Sequence, residues 1–299
     1  MGSGPDGEQL GSLESALGAP LSPFARGGES RTYRVGDTDE LVTVPRGWPA
    51  AAAAPGEVER RAALLRRVGA RVGLPVPEVV RTLPDVGLVV VRRLPGRPLL
   101  DVAPEVRTAG APAVGAALGR LLSELHTWPP EEHADLVDVD DTPPGEWHRE
   151  AAGLAARVAP VLDAPGRDDV HRFLDREPPA PARGLVFSHL DLGAEHVLVD
   201  DAADAGSLRI TGVIDWDDAA VGDPAHDLAL VLRDLGPAGL EAALAAYADR
   251  GGAADEVAAR VPFLACCKVL EDLAFGHAAG RPSYVENARR AWAWTLGTT

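Results

Sequence analysis

The sequence predicts an α+β chain in which strands come first and helices follow. Short β-branched runs (Arg31 to Val35, Glu40 to Val44, Val79 to Thr82, Gly87 to Arg92) lie between Gly, Pro and Asp turns in the first third. From Pro104 onward, apolar residues recur at helical spacing almost to the end. No internal repeat or alternating strand–helix unit is visible, which argues against a parallel sheet. At 299 residues the chain is long enough for two lobes. The boundaries expected are 1–94, a linker at 95–98, and 99–299.

Residues 1–8, with the start MGSGPDGEQLGS, read as a disordered leader that runs into a short helix with Leu10, Leu13 and Leu17 on one face. Strand, glycine turn, strand, turn, strand follows. The pair Gly27-Gly28 reads first as an ordinary hairpin connection, because glycine is the default turn residue. Pro55 opens a helix at the position where helices tolerate proline, and that helix carries Glu59. In Arg93-Leu94-Pro95-Gly96-Arg97-Pro98 two prolines and a glycine argue against any regular element and mark the lobe boundary. Beyond it, Val114, Leu118, Leu121, Leu122 and Leu125 form a core stripe ending at His126, read as a packing histidine. Pro129 to Pro144 reads as a solvated loop. Helices are expected over 147–162, 168–174, 224–235, 238–248, 253–278 and 281–296.

Composition excludes several functions. The formal charge of −16 opposes binding to a phosphate backbone, so no nucleic-acid partner is expected. No apolar run approaches the roughly 20 residues of a spanning helix, so no membrane partner is expected. The start has no basic and no apolar segment of a signal peptide, and the expected location is cytoplasmic. The two cysteines, Cys266 and Cys267, are adjacent in an apolar segment, which suits buried thiols better than a disulfide. Lys268 is the only lysine, so basic work near the N-terminus falls to arginine.

The chemistry concentrates between Ser188 and Asp227, in SHLDLGAEHVLVD, a polar insert, and ITGVIDWDDAAVGDPAHDLA. Two β-branched runs flank the insert as a hairpin and would deliver Asp191, His196 and Asp215 to one point. Phosphoryl transfer requires such a set: a carboxylate to orient the acceptor hydroxyl and two nearby ligands for the ion that bridges the phosphates. His189 is expected to hold the loop by hydrogen bonds, Asp223 to cap the following helix, and Asp227 to accept bonds from the loop.

These motifs resemble the aminoglycoside phosphotransferase family, small-molecule kinases with the protein-kinase-like fold. The family pattern His-x-Asp-x-x-x-x-Asn falls on His189, Asp191 and position 196. Its Ile-Asp-Trp falls on Asp215 and its Gly-Asp-Pro-x-x-Asp-Leu-Ala on Asp223 to Ala229. The resemblance covers roughly residues 20–295 and implies a bilobal fold. Residues 1–94 would be a nucleotide-binding antiparallel sheet lobe with one main helix, and 99–299 a larger, mostly helical lobe binding the acceptor. It implies Asp191 and His189 as catalytic residues and His196 and Asp215 as magnesium ligands. Gly28, Ser30, Arg46, Glu59, Arg92 and Leu94 become the residues that bind ATP or GTP.

Two positions depart from the pattern. Position 196 is His instead of Asn, as in macrolide phosphotransferases, and oxygen suits magnesium better than nitrogen does. The family's Lys or Arg on the third strand is Thr43 here, so Arg46, then Arg31 or Arg34, would have to pair with Glu59.

The resemblance therefore implies an ATP- or GTP-dependent O-phosphotransferase acting on a hydroxyl of a small, antibiotic-like molecule, an aminoglycoside, macrolide or similar, with a cationic acceptor favoured by the acidic chain. The alternatives are a metabolite kinase of the same fold, acting on choline, homoserine or a sugar, and a non-catalytic nucleotide-binding protein. A monomer or homodimer is expected.

Overall fold

The computed structural model describes residues 7–28, 30–200 and 208–298, and the chain divides between Leu94 and Pro95 into two compact units.

The first unit contains α1 (Gly7–Leu17), β1 (Leu21–Arg26), β2 (Ser30–Val35), β3 (Glu40–Pro45), α2 (Pro55–Arg71), β4 (Val79–Leu83) and β5 (Leu88–Arg92). The strands form one antiparallel sheet in the order β1-β2-β3-β5-β4. Alternate residues Tyr33 and Val35, Val42 and Val44, and Leu88 and Val90 are buried, as the period-two pattern requires. Leu13 and Leu17 of α1 and Trp48 pack against them. The leader expected over 1–8 is corrected in part: residues 1–6 lie outside the described residues, whereas Gly7 and Glu8 form the first turn of α1.

The second unit begins with β6 (Arg97–Pro98) and α3 (Pro104–His126). The expectation that 93–98 forms no regular element is overturned, because β6 pairs with the strand around Val199. Proline is tolerated there because β6 lies at the edge of its sheet. Gly96 permits the approach: at φ 97°, a Cβ on it would lie 2.4 Å from the Val199 carbonyl. Thr211 Oγ1 donates to the Pro95 carbonyl at 2.7 Å, fixing the turn.

Next come α4 (Pro144–Val158), α5 (Ala164–Leu174), β7 (Val186–Ser188), β8 (Val197–Val199), β9 (Ile210–Val213) and β10 (Ala220–Gly222). The remainder is α6 (Ala225–Ala248), α7 (Ala254–Ala258), α8 (Val261–Ala279) and α9 (Pro282–Trp292). The strands form two small sheets, β6-β8-β9 and β10-β7. The expected hairpin is present, with Val197 opposite Val213, while most of its polar insert lies outside the described residues.

The segment 129–144 is more than a solvated loop. His133, Leu136 and Val137 are buried, and Val139 bridges to Val221, so an Asp-rich stretch is drawn into the core by its few apolar residues. Helix α6 bends at Gly236, φ 72°, just before Pro237, so two expected helices join across a kink. The helix expected over 253–278 instead breaks at Ala259–Arg260, because Pro262 supplies no amide to the residue four before it. Cys266, Cys267, Val269, Leu270 and Leu273 of α8 bury a core with Ala151, Ala155, Val170, Phe173 and Ala288. Among the described residues no helix is long and apolar enough to cross a membrane.

Candidate active site

Strand β7 buries Phe187 and Ser188 and leads into His189, which has no exposed surface. The chain then turns through Leu190, Asp191, Leu192 and Gly193 to His196, the residue before β8. Leu190 adopts φ 63°, a left-handed conformation that side chains normally avoid, and Asp215, two residues beyond β9, adopts φ 64°. Two non-glycine residues held this way on either side of His196 imply a framework that fixes them.

Part of that framework is His189. Its Nε2 bonds to the Ile214 carbonyl at 3.1 Å, and its Nδ1 accepts from the Asp191 amide at 3.3 Å. Burial pushes the imidazole down to about 4, so it is neutral and serves as donor at one nitrogen and acceptor at the other. The Ile214 amide donates to the His196 carbonyl at 2.9 Å, which ties the residue before Asp215 to His196. Trp216 is buried, meets His189 in a tilted ring contact with centroids 4.6 Å apart, and donates to the Val213 carbonyl. Asp227 on α6 accepts the His189 amide at 2.9 Å, as expected. Burial pushes its carboxyl up to about 7, against the opposing pull of the loop amides from His189, Leu190 and Leu192.

These contacts bring three predicted residues together. His196 Nδ1 faces both the Asp191 carbonyl at 2.8 Å and Asp191 Oδ2 at 3.2 Å, while Nε2 faces Asp215 Oδ2 at 3.3 Å. Burial disfavours charge on this ring, yet Asp191, Glu195 and Asp215 outweigh it and push the imidazole up to about 10. Burial likewise opposes ionisation of Asp191, but His196 holds its carboxyl well below the usual carboxylate range. Nδ1 is committed to Asp191, and Nε2 faces the Asp215 carboxylate; a ring charged in this way must lose its Nε2 proton before that nitrogen can ligate a metal. One nitrogen and one oxygen facing each other suit a divalent ion whose other ligands are phosphate and water oxygens. Among the described residues no group of three His, Cys, Asp or Glu side chains forms a metal site of its own.

In the first unit, Arg46 donates to the Gly28 carbonyl and so ties the end of β3 to the glycine turn, where the Gly27 amide bonds to the Ser30 carbonyl at 3.0 Å. The expected pairing of Arg46 with Glu59 does not form. Among the described residues Glu59 accepts only from Thr82 Oγ1, at 2.8 Å, since α2 lies against β4 on that side. Thr43, at the place of the family's basic residue, meets Thr32 across the strands at 3.0 Å. Arg92 pairs with Glu78 at 2.7 Å on an exposed surface, and Leu94 is partly buried.

Sequence reasoning missed two supports. Arg260 holds Asp223 with Nε at 2.8 Å and Nη2 at 2.9 Å, in addition to the expected cap from Asp223 to the Ala225 amide. Arg233 and Asp234 on α6 contact the loop before His196. Their signal was a charged pair inside the apolar run Leu228 to Leu235.

An antiparallel sheet unit followed by a mostly helical unit, with a His-x-Asp loop and an Ile-Asp-Trp strand end side by side, defines the protein-kinase-like class of small-molecule phosphotransferases. Residues 20–262 match the model of the phosphotransferase enzyme family, and the chain belongs to that family. It is 35% identical over 169 residues to viomycin phosphotransferase of Streptomyces vinaceus, matching 55% of this chain and 56% of the relative. It is 31% identical over 182 residues to aminoglycoside 3'-phosphotransferase of Streptomyces fradiae, matching 55% of this chain and 60% of the relative. The chain thus spans little more than half the length of these relatives.

Among solved structures, macrolide 2'-phosphotransferase type I is similar at a TM-score of 0.61 and 22% identity, over 98% of this chain and 99% of that one. The GDP complex of aminoglycoside 2'-phosphotransferase-IIIa is similar at a TM-score of 0.63 and 20% identity, over 93% and 92%. At these identities the likeness concerns the fold.

Proposed function

We propose that this protein transfers the γ-phosphoryl group of ATP or GTP to a hydroxyl of a small, antibiotic-like acceptor. The observation that carries the reading is the row Asp191–His196–Asp215, in which one imidazole faces a carboxylate on each side. Asp191 is the residue assigned to the acceptor hydroxyl. Its role is to orient the hydroxyl and take the proton late, which a loose phosphoryl-transfer transition state permits. His196 Nε2 and Asp215 are assigned to magnesium, which when bound supplies charge neutralisation on the phosphates. Gly28, Ser30, Arg46, Arg92 and Leu94 are assigned to the nucleotide. The related proteins named for viomycin, aminoglycosides and macrolides support an antibiotic acceptor, and the GDP complex of one neighbour supports a purine nucleotide.

Replacing Asp191 tests the assignment. Asp191→Ala should lower turnover on the order of a thousand-fold while nucleotide affinity stays within about three-fold of wild type. Turnover that survives the change removes Asp191 from the mechanism.

One observation favours a second reading, a non-catalytic nucleotide-binding protein: the first unit contains no lysine, and Glu59 is engaged by Thr82. Mass spectrometry of an antibiotic and metabolite panel incubated with each nucleotide separates the readings. A phosphorylated antibiotic supports the first and a phosphorylated choline, homoserine or sugar points to a metabolite kinase. Nucleotide-dependent thermal stabilisation without any product supports the second.

A further inference from the structure

Four polar side chains lie buried beneath the His196 loop, and each is 5% exposed or less: Arg233 and Asp234 on α6, Asp272 on α8 and Asn287 on α9. Arg233 binds Asp234 through Nε at 2.7 Å and Nη2 at 2.9 Å, and Asp272 through Nη1 at 2.9 Å. Asn287 Nδ2 donates to Asp234 at 2.7 Å and to Asp272 at 3.1 Å. Two contacts leave this cluster for the loop. Asp234 Oδ2 accepts the Ala194 amide at 2.7 Å, and Arg233 Nη2 reaches Glu195 Oε2 at 3.4 Å.

We propose that Arg233 and Asp234 are positioning residues: a clamp that holds Ala194 and Glu195 and thereby sets His196 opposite Asp215. The proposal rests on the assignment of His196 and Asp215 to the metal.

Stability alone is a weak explanation for the cluster. Buried ion pairs replaced by well-packed apolar residues are often as stable or more so, so burying one guanidinium among three carboxylates needs another reason. The loop side supplies it. A side chain at Gly193 requires Glu195 or Arg233 to give way, because a Cβ there would lie 2.4 Å from Glu195 Oε2 and 2.7 Å from Arg233 Nη2. One of those atoms belongs to the clamp and the other to the Glu195 it holds, and Arg233 is pinned by its other bonds. The clamp also completes a pattern on one helix. Asp227 holds the start of the loop through the His189 amide, and Asp234, two turns on, holds its end through Ala194. The segment carrying Asp191 and His196 is therefore suspended from α6 at both ends.

Asp272 and Asn287 brace the clamp without touching the loop. Asp272 accepts Arg233 Nη1 on one oxygen and Asn287 Nδ2 on the other, so Asp272→Asn keeps the shape but turns its amide towards one of those donors, disturbing the brace without touching the loop. It is the internal control.

The test is Mn2+ binding, followed by electron paramagnetic resonance with a non-hydrolysable nucleotide analogue, alongside Tm. His196→Ala serves as reference. Asp234→Asn and Gly193→Ala should weaken Mn2+ binding by about ten-fold or more, the usual scale for residues behind a metal ligand. Asp272→Asn should change it less than about two-fold, whatever its effect on Tm. If His196→Ala weakens Mn2+ binding but Asp234→Asn and Gly193→Ala do not, the clamp is wrong and the metal assignment stands. If Asp272→Asn weakens it as much as Asp234→Asn, the cluster is only structural support and the proposal falls. If His196→Ala leaves Mn2+ binding unchanged, the metal assignment fails and takes the clamp with it. Should Asp234→Asn not fold, Gly193→Ala against Asp272→Asn decides.

Discussion

Cys266 and Cys267 are two side chains whose chemistry is set by burial. Both are buried in the α8 core, and Cys267 makes only a weak contact, 3.8 Å, to the Trp147 carbonyl. Burial pushes the Cys266 thiol up to about 12 and Cys267 higher still, so at neutral pH neither forms thiolate. A thiol reagent such as DTNB at pH 8 should therefore leave the native protein unlabelled over minutes, and label both cysteines once denaturant is added. Rapid labelling of the native protein would show that α8 opens. The site residues follow the same logic of environment. Asp191, His196 and Asp215 were legible because spacing and strand ends alone place them. The Arg233–Asp234 clamp was not, since its meaning depends on which amide lies across from α6, and only the tertiary fold decides that. The Arg46–Glu59 pairing failed for the same reason: α2 presents Glu59 to Thr82.

At the scale of elements, α3 and α6 carry the second unit, and they meet backbone to backbone. A Cβ on Gly115 would lie 2.1 Å from the Gly239 carbonyl, and one on Gly119 would lie 2.1 Å from that of Ala243. Neither carbonyl can move without its helix. Gly119→Ala should cost about 1–3 kcal/mol and lower Tm by roughly 2–8 °C, whereas Gly153→Ala, on α4 with nothing near its Cβ, should raise Tm slightly. Equal effects of the two substitutions would remove the close approach as the cause. The same helix pair holds a pH-dependent contact. His126, at the end of α3, bonds through Nδ1 to the Tyr247 hydroxyl of α6 at 3.0 Å, and its buried Nε2 has no partner. Burial pushes this imidazole down to about 3, below the ordinary value near 6.5, so the unfolded chain binds the proton more readily. Its contribution is full above pH 6.5 and declines as pH falls towards 3, by up to about 1.4 kcal/mol per pH unit and less where solvent reaches the ring. Thermal melts between pH 7.5 and 5 should show a shallower loss for His126→Gln than for wild type, and parallel slopes would exclude His126. The helical stripe on α3 and the role of its last histidine were legible from periodicity. Strand β6 and the buried part of 129–144 were not, because partners distant in sequence create them.

The whole molecule carries a formal charge of −16, and part of it lies at the site. Asp215, Asp217 and Asp218 are exposed side by side. Burial and then the neighbouring Asp191 and Asp215 push the Asp218 carboxyl up, so these carboxylates feel one another's field. Such a surface attracts cations from beyond contact distance, and the attraction is screened as the Debye length shrinks from about 30 Å at 0.01 M salt to about 8 Å at 0.15 M. If the acceptor is cationic, kcat/KM for it should fall several-fold across that range, chiefly through KM, as electrostatic steering is lost. A neutral acceptor phosphorylated by the same protein should show little change. The two acceptors must be compared at constant free magnesium, because salt also weakens the interaction of the metal with the nucleotide. If kcat/KM for a polycationic acceptor is flat with salt, the acidic surface takes no part in acceptor capture, and selection then rests on short-range contacts around Asp191.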